Sequence, residues 1–245
     1  MSIRPLAIAL AFVLASPVAA QAKQVTMPPG SSSNWVQQQP TRFLDADAAQ
    51  VLPDDLAYVS AGGALGAGGL NYSRGMGNGG ELGFGVNAGF PFGGAFTGGI
   101  SGAWKQQLSR TASLAIAVRP SVLLAFAPAT SLGVGVGLPF TFDAGNGHLT
   151  VEPRVQFANI STPNAGNGDV ALGYQTPLTD RWSLLAEVDP TFSFGGAGFS
   201  LPLSAGARFS PTATSHVDFQ VLNMTATPAV TGSVGLVGVT GHVGF

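Results

Sequence analysis

The chain has 245 residues, of which 45% are apolar and only 9% charged, with a formal net charge of −2 and no cysteine. Soluble domains carry about 25% charged residues, so a water-exposed globule is disfavoured, and the near-neutral charge excludes a broad basic surface for nucleic acid. The missing cysteines exclude disulfides, thiol catalysis, thiolate metal sites and lipid attachment at an N-terminal cysteine.

Residues 1–20 read as a secretory signal peptide. Arg4 supplies the positive charge, Leu6 to Leu14 form the apolar core, and Val18-Ala19-Ala20 gives small residues before Gln21. A core of about nine residues is too short to span a bilayer as a helix. Residues 21–55 read as a flexible periplasmic leader, with a plug entering the barrel as an alternative that no residue pattern supports. Met27 to Ser33 and Gln37 to Pro40 are extended in character, and Phe43 to Leu52 predicts one short helix ended by Pro53.

From Leu56 onward the chain alternates with a period of two. Trp182, Leu184, Ala186, Val188, Phe192 and Phe194 fall on one face, and Ser183, Glu187, Asp189 and Ser193 on the other. A strand sends successive side chains to opposite faces. Strands are predicted at Leu56–Gly62, Ala67–Arg74, Glu81–Phe92, Phe96–Gln107, Ala112–Phe126, Leu132–Phe142, His148–Asn159, Asp169–Pro177, Trp182–Phe194, Phe199–Phe209, His216–Met224 and Gly232–Phe245. Turn residues that tolerate positive φ separate several of them, as at Asn78-Gly79 and Asn146-Gly147. The expected fold is all-β: an antiparallel transmembrane β-barrel over 56–245, with about twelve strands and ten as the alternative. Pro91, Pro120, Pro139, Pro153, Pro190 and Pro202 fall inside these strands. Proline removes a ladder donor, so each is expected at a bulge or a strand end.

The last strand places Val237, Val239, Val243 and Phe245 on one face. This resembles the terminal strand of bacterial outer-membrane barrels, which the assembly machinery reads; Val243 and Phe245 would be that signal. Asp180 to Val188, Ser204 to Pro211 and His216 to Phe219 resemble the C-terminal hairpins of a transporter group of phenol meta-cleavage pathways. The likeness covers the last third of the chain and its motifs are architectural.

Lys105, Arg119, Glu152, Arg154, Glu187, Asp189, Arg208 and Asp218 fall on the polar face. A charge facing lipid is costly, ~2–4 kcal/mol for Arg or Lys at the midplane, so these eight are expected to line the lumen, four of each sign. Arg208 and Asp218 should face each other across the hairpin at Ser210 to Ser215. Catalysis is not expected. The histidines are His148, His216 and His242, and no pair has metal-ligand spacing. The run Gly62 to Gly69 lacks the Lys-Ser/Thr ending of a phosphate loop. No cofactor is implied. The reading is a Gram-negative outer-membrane channel or transporter for small solutes, with a filled structural barrel as the alternative. Its expected partners are outer-membrane lipid, the barrel-assembly machinery and small solutes.

Overall fold

The computed structural model describes residues 48–245, apart from 65–66, 91–94, 128–129, 158–165, 196–197 and 227–229. The predicted signal peptide, Pro91 and the leader up to residue 47 lie outside the described residues. Fourteen strand segments follow in order: β1 (Ala57–Ala64), β2 (Ala67–Gly75), β3 (Gly80–Gly89), β4 (Thr97–Arg110), β5 (Leu114–Ala127), β6 (Ser131–Gly137), β7 (Phe140–Ala144), β8 (Gly147–Phe157), β9 (Gly166–Pro177), β10 (Trp182–Val188), β11 (Thr191–Ser193), β12 (Phe199–Phe209), β13 (Ser215–Ala226) and β14 (Val230–Gly244). β6 and β7 share the neighbours β5 and β8, while β10 and β11 share β9 and β12. Each pair is therefore one wall strand in two pieces, and the wall has twelve strands. It closes where β14 pairs with β1, from Tyr58↔Gly244 to Ala64↔Gly238. All pairings are antiparallel.

Proline causes both interruptions. Pro139 separates β6 from β7, and Pro190 separates β10 from β11, because neither can donate to a neighbouring strand. Pro120, Pro153 and Pro202 instead lie within β5, β8 and β12, at neither the bulges nor the strand ends expected for them.

The alternation takes physical form in exposure. Along β10, Trp182, Leu184 and Ala186 are exposed, while Ser183, Leu185 and Glu187 are buried. Phe84, Val86, Ile100, Val122, Val134 and Val136 face outward at 42–53% exposure. Such a surface is a liability in water and a seat in hydrocarbon. Aromatic rings gather at both rims, as in membrane barrels. Trp182 packs on Phe209 at 4.8 Å near the termini, and Phe90 on Phe96 at 5.2 Å at the opposite rim.

Residues 48–52 do not form the expected helix. They run as irregular chain into the barrel end where β1 begins and β14 finishes, here called the terminal end. Their backbone groups are taken by wall side chains: Thr141 Oγ1 accepts from the Ala49 N–H at 2.9 Å and Glu81 Oε2 from the Leu52 N–H at 3.0 Å. An N–H committed to the wall cannot close a helical turn.

The barrel lumen as candidate functional site

Inward positions divide the lumen into two levels. Near the termini it is filled by ion pairs and by the leader; toward the other rim it holds a cavity of about 700 Å³.

The filled level begins with the hairpin of β12 and β13. Its register sets Arg208 opposite Asp218, and the guanidinium donates twice to the carboxylate, from Nε and Nη2, at 2.7 Å each. Arg208 is 0% exposed. On β8, Arg154 reaches Asp169 and Asp189, and Glu152 accepts from Arg119 Nε at 3.1 Å. Lys105 lies 3.2 Å from Glu81 and donates to the Ala48 carbonyl. Glu187 is buried and is also engaged.

All eight charges singled out in the sequence therefore lie inside the wall, at the filled level of the lumen. Glu81 and Asp169 join them, each 5% exposed. Both open a strand as the sequence pattern bounds it, where alternation has few residues to show itself. Parity with Gly83 and Gly85 on β3 is the signal that places Glu81 inward. Among the described residues the layer thus holds four cations and six carboxylates, so the sequence expectation of an even balance is corrected.

A second network crosses the seam where the barrel closes. Ser60 on β1 stands opposite His242 on β14 and shares a 2.7 Å hydrogen bond with its Nδ1. His242 Nε2 lies 3.1 Å from Asp218 Oδ2. Tyr58 and His216 share a hydrogen bond of 3.2 Å. Serine, histidine and aspartate in this order can activate a nucleophile. Here the carboxylate also takes two bonds from Arg208, and the serine meets Nδ1 while the carboxylate meets Nε2. What the network does is tie the first strand to the last, at ~1 kcal/mol per bond. His148, by contrast, pairs with Asp143 at 2.9 Å in the β7–β8 turn.

The leader crosses this level. Ala48 packs on Ala171 and Leu185, and Ala49 on Ala115 and Ala117. Leu52, 2% exposed, reaches the β3 side and forms part of the cavity floor. Its seat is shaped for backbone: a Cβ on Gly75 would fall 2.0 Å from the Pro53 carbonyl. Within the leader, the buried Gln50 Oε1 has no hydrogen-bond partner among the described residues. Such an atom costs about 1–3 kcal/mol and weighs against the docked state.

Glu81, Lys105, Arg119, Arg154 and Asp218, all ion-paired, reach the base of the cavity, and above them the polar lining is neutral. Asn71, Asn87, Ser101, Ser121, Gln156 and Asn167 face the cavity, interleaved with glycines. Val243 and Phe245 lie elsewhere, with side chains 41% and 56% exposed on the outside; the Phe245 backbone pairs with Ala57 in both directions.

Neither a protein-family model nor a curated protein sequence matches the chain. Solved structures do. The KdgM porin in complex with disordered oligogalacturonate aligns with a TM-score of 0.55 and 9% identity, over 77% of this chain and 96% of that one. The NanC porin aligns with a TM-score of 0.53 and 10% identity, over 77% and 97%. An outer membrane channel from Pseudomonas putida F1 aligns with a TM-score of 0.54 and 12% identity, over 82% of this chain and all of that one. At such identities the likeness establishes the fold: an outer-membrane type of β-barrel.

Proposed function

We propose that the chain is a bacterial outer-membrane channel for small solutes, closed at the end holding its termini by its own residues 48–52. The cavity carries this reading: about 700 Å³ of space, set with amide and hydroxyl side chains, within a wall whose outer face is apolar. Space of that order accommodates small organic molecules. In outer-membrane barrels the short turns face the periplasm. The termini share their rim with tight turns such as Gly145-Asn146, so the leader closes the periplasmic mouth.

The leader also favours a second reading, a structural barrel with a filled lumen. Single-channel conductance of the mature protein and of Leu52→Asp separates the two. The aspartate would stand beside Glu81, whose carboxylate now accepts the Leu52 N–H. Brief openings are expected from the native protein and long-lived ones from the variant. No current from either would establish the filled barrel, and equal current from both would remove the leader as the closure. The refolded variant should keep the faster migration of an unheated barrel on gels.

Two finer assignments belong to the same reading. The resemblance at Asp180 to Val188, Ser204 to Pro211 and His216 to Phe219 supports placing the chain with the transporter group of phenol meta-cleavage pathways. The exposed terminal Phe245, with Val243, supports recognition by the barrel-assembly machinery.

A further inference from the structure

Resting on the channel reading, we propose that the solute is uncharged and rich in hydroxyl or amide groups.

The first ground is the state of the wall charges. Lys105 is bound to Glu81, Arg119 to Glu152, Arg154 to Asp169 and Asp189, and Arg208 to Asp218. Each cation's charge is matched within the protein. An entering anion would give up water and gain no countercharge. Burial of an ion on those terms costs far more than burial of a neutral polar group. The surplus of carboxylates over cations in the same layer weighs further against anions.

The second ground is the wall above the charges. Ser121, Gly135, Gln156 and Asn167 are register neighbours across β5, β6, β8 and β9. Ser60, Asn71, Gly85 and Ser101 make the same kind of row across β1 to β4. Amides both donate and accept, and hydroxyls do the same, so a neutral solute exchanges water for wall contacts at little net cost. The glycines create the room. A Cβ on Gly85 would fall 2.5 Å from Asn71 Oδ1 and 2.7 Å from Ser101 Oγ, so glycine lets those side chains lean together. A Cβ on Gly83 would meet nothing nearer than 3.9 Å, so the bore stays open there. The KdgM porin was solved with oligogalacturonate, an acidic sugar chain; the order expected for this lumen is the reverse.

The test is efflux of radiolabelled sorbitol, gluconate and N-methylglucamine, which are similar in size and neutral, anionic and cationic. It uses proteoliposomes holding the full mature chain or its Leu52→Asp variant. Sorbitol should leave fastest and gluconate slowest, about tenfold apart, which corresponds to ~1.4 kcal/mol. Asn87→Arg, which adds a cation with no carboxylate opposite it in the register, should narrow that gap at least about fivefold. Gluconate leaving as fast as sorbitol would overturn the solute class and leave the channel reading standing. An unchanged ratio in Asn87→Arg would also overturn it. No efflux of any solute from either form would overturn the channel reading, and this inference with it.

Discussion

Replacing Arg208 by Met tests whether the charges near the termini are buried as tightly as their geometry implies. Arg208 is 0% and Asp218 4% exposed, and two 2.7 Å bonds join them. Without the guanidinium the carboxylate keeps, among the described residues, His242 at 3.1 Å. Removing one partner of a buried pair costs about 3–5 kcal/mol, because the other charge is stranded. With a urea dependence near 2 kcal/mol per molar, a loss of ~4 kcal/mol lowers the unfolding midpoint by about 2 M. Trp182 packs on Phe209, the residue after Arg208, so tryptophan fluorescence in lipid vesicles reports the transition where the change is made. The double variant Arg208→Met with Asp218→Leu removes both charges and should recover at least half of the loss. A midpoint for Arg208→Met within about 0.3 M of the native value would mean that water solvates the pair, and the account of a sealed layer would fail. A double variant no better than the single one would show that the loss is one of packing rather than charge.

Sidedness can be read at two consecutive positions: Val122→Arg should cost ~2–4 kcal/mol in lipid, whereas Ser121→Arg should fold normally, because Val122 is exposed outside and Ser121 faces the cavity. Equal losses, measured by the same urea titration, would show the register to be wrong. Phe245→Ser should leave refolding in detergent intact and lower the amount of barrel assembled in cells, measured as the heat-modifiable fraction of outer membranes; unchanged assembly would remove the terminal residue as a recognition signal.

The wall was legible because alternation with a period of two has a single structural meaning in a chain with so little charge. The Phe199–Phe209 strand has the bounds its sequence pattern suggests. The Arg208–Asp218 pair was legible too, since a hairpin turn fixes register. Contacts across the bore were not. Ala49 and Thr141 are 92 residues apart and belong to no common hairpin, so no periodicity links them. The alanines that receive the leader, Ala115, Ala117 and Ala171, read simply as small wall residues. Even a correctly placed inward residue conceals its surroundings: Ser183 stands directly opposite Arg208, a fact that decides what can replace it and that alternation does not contain.

The prolines carry a mechanical consequence. Pro120 lies on β5, Pro139 between β6 and β7, Pro153 on β8, Pro190 between β10 and β11, and Pro202 on β12. They sit at adjoining levels: the Leu138 N–H donates to the Pro153 carbonyl, Val170 to Pro190 and Asp189 to Pro202. Each proline is a missing stitch between neighbouring strands. Together they perforate one side of the cylinder along a line, while β1 to β4 and β14 carry no proline in their strands. With fewer backbone bonds to break, that flank is expected to deform before β1 to β4 when the bilayer thins.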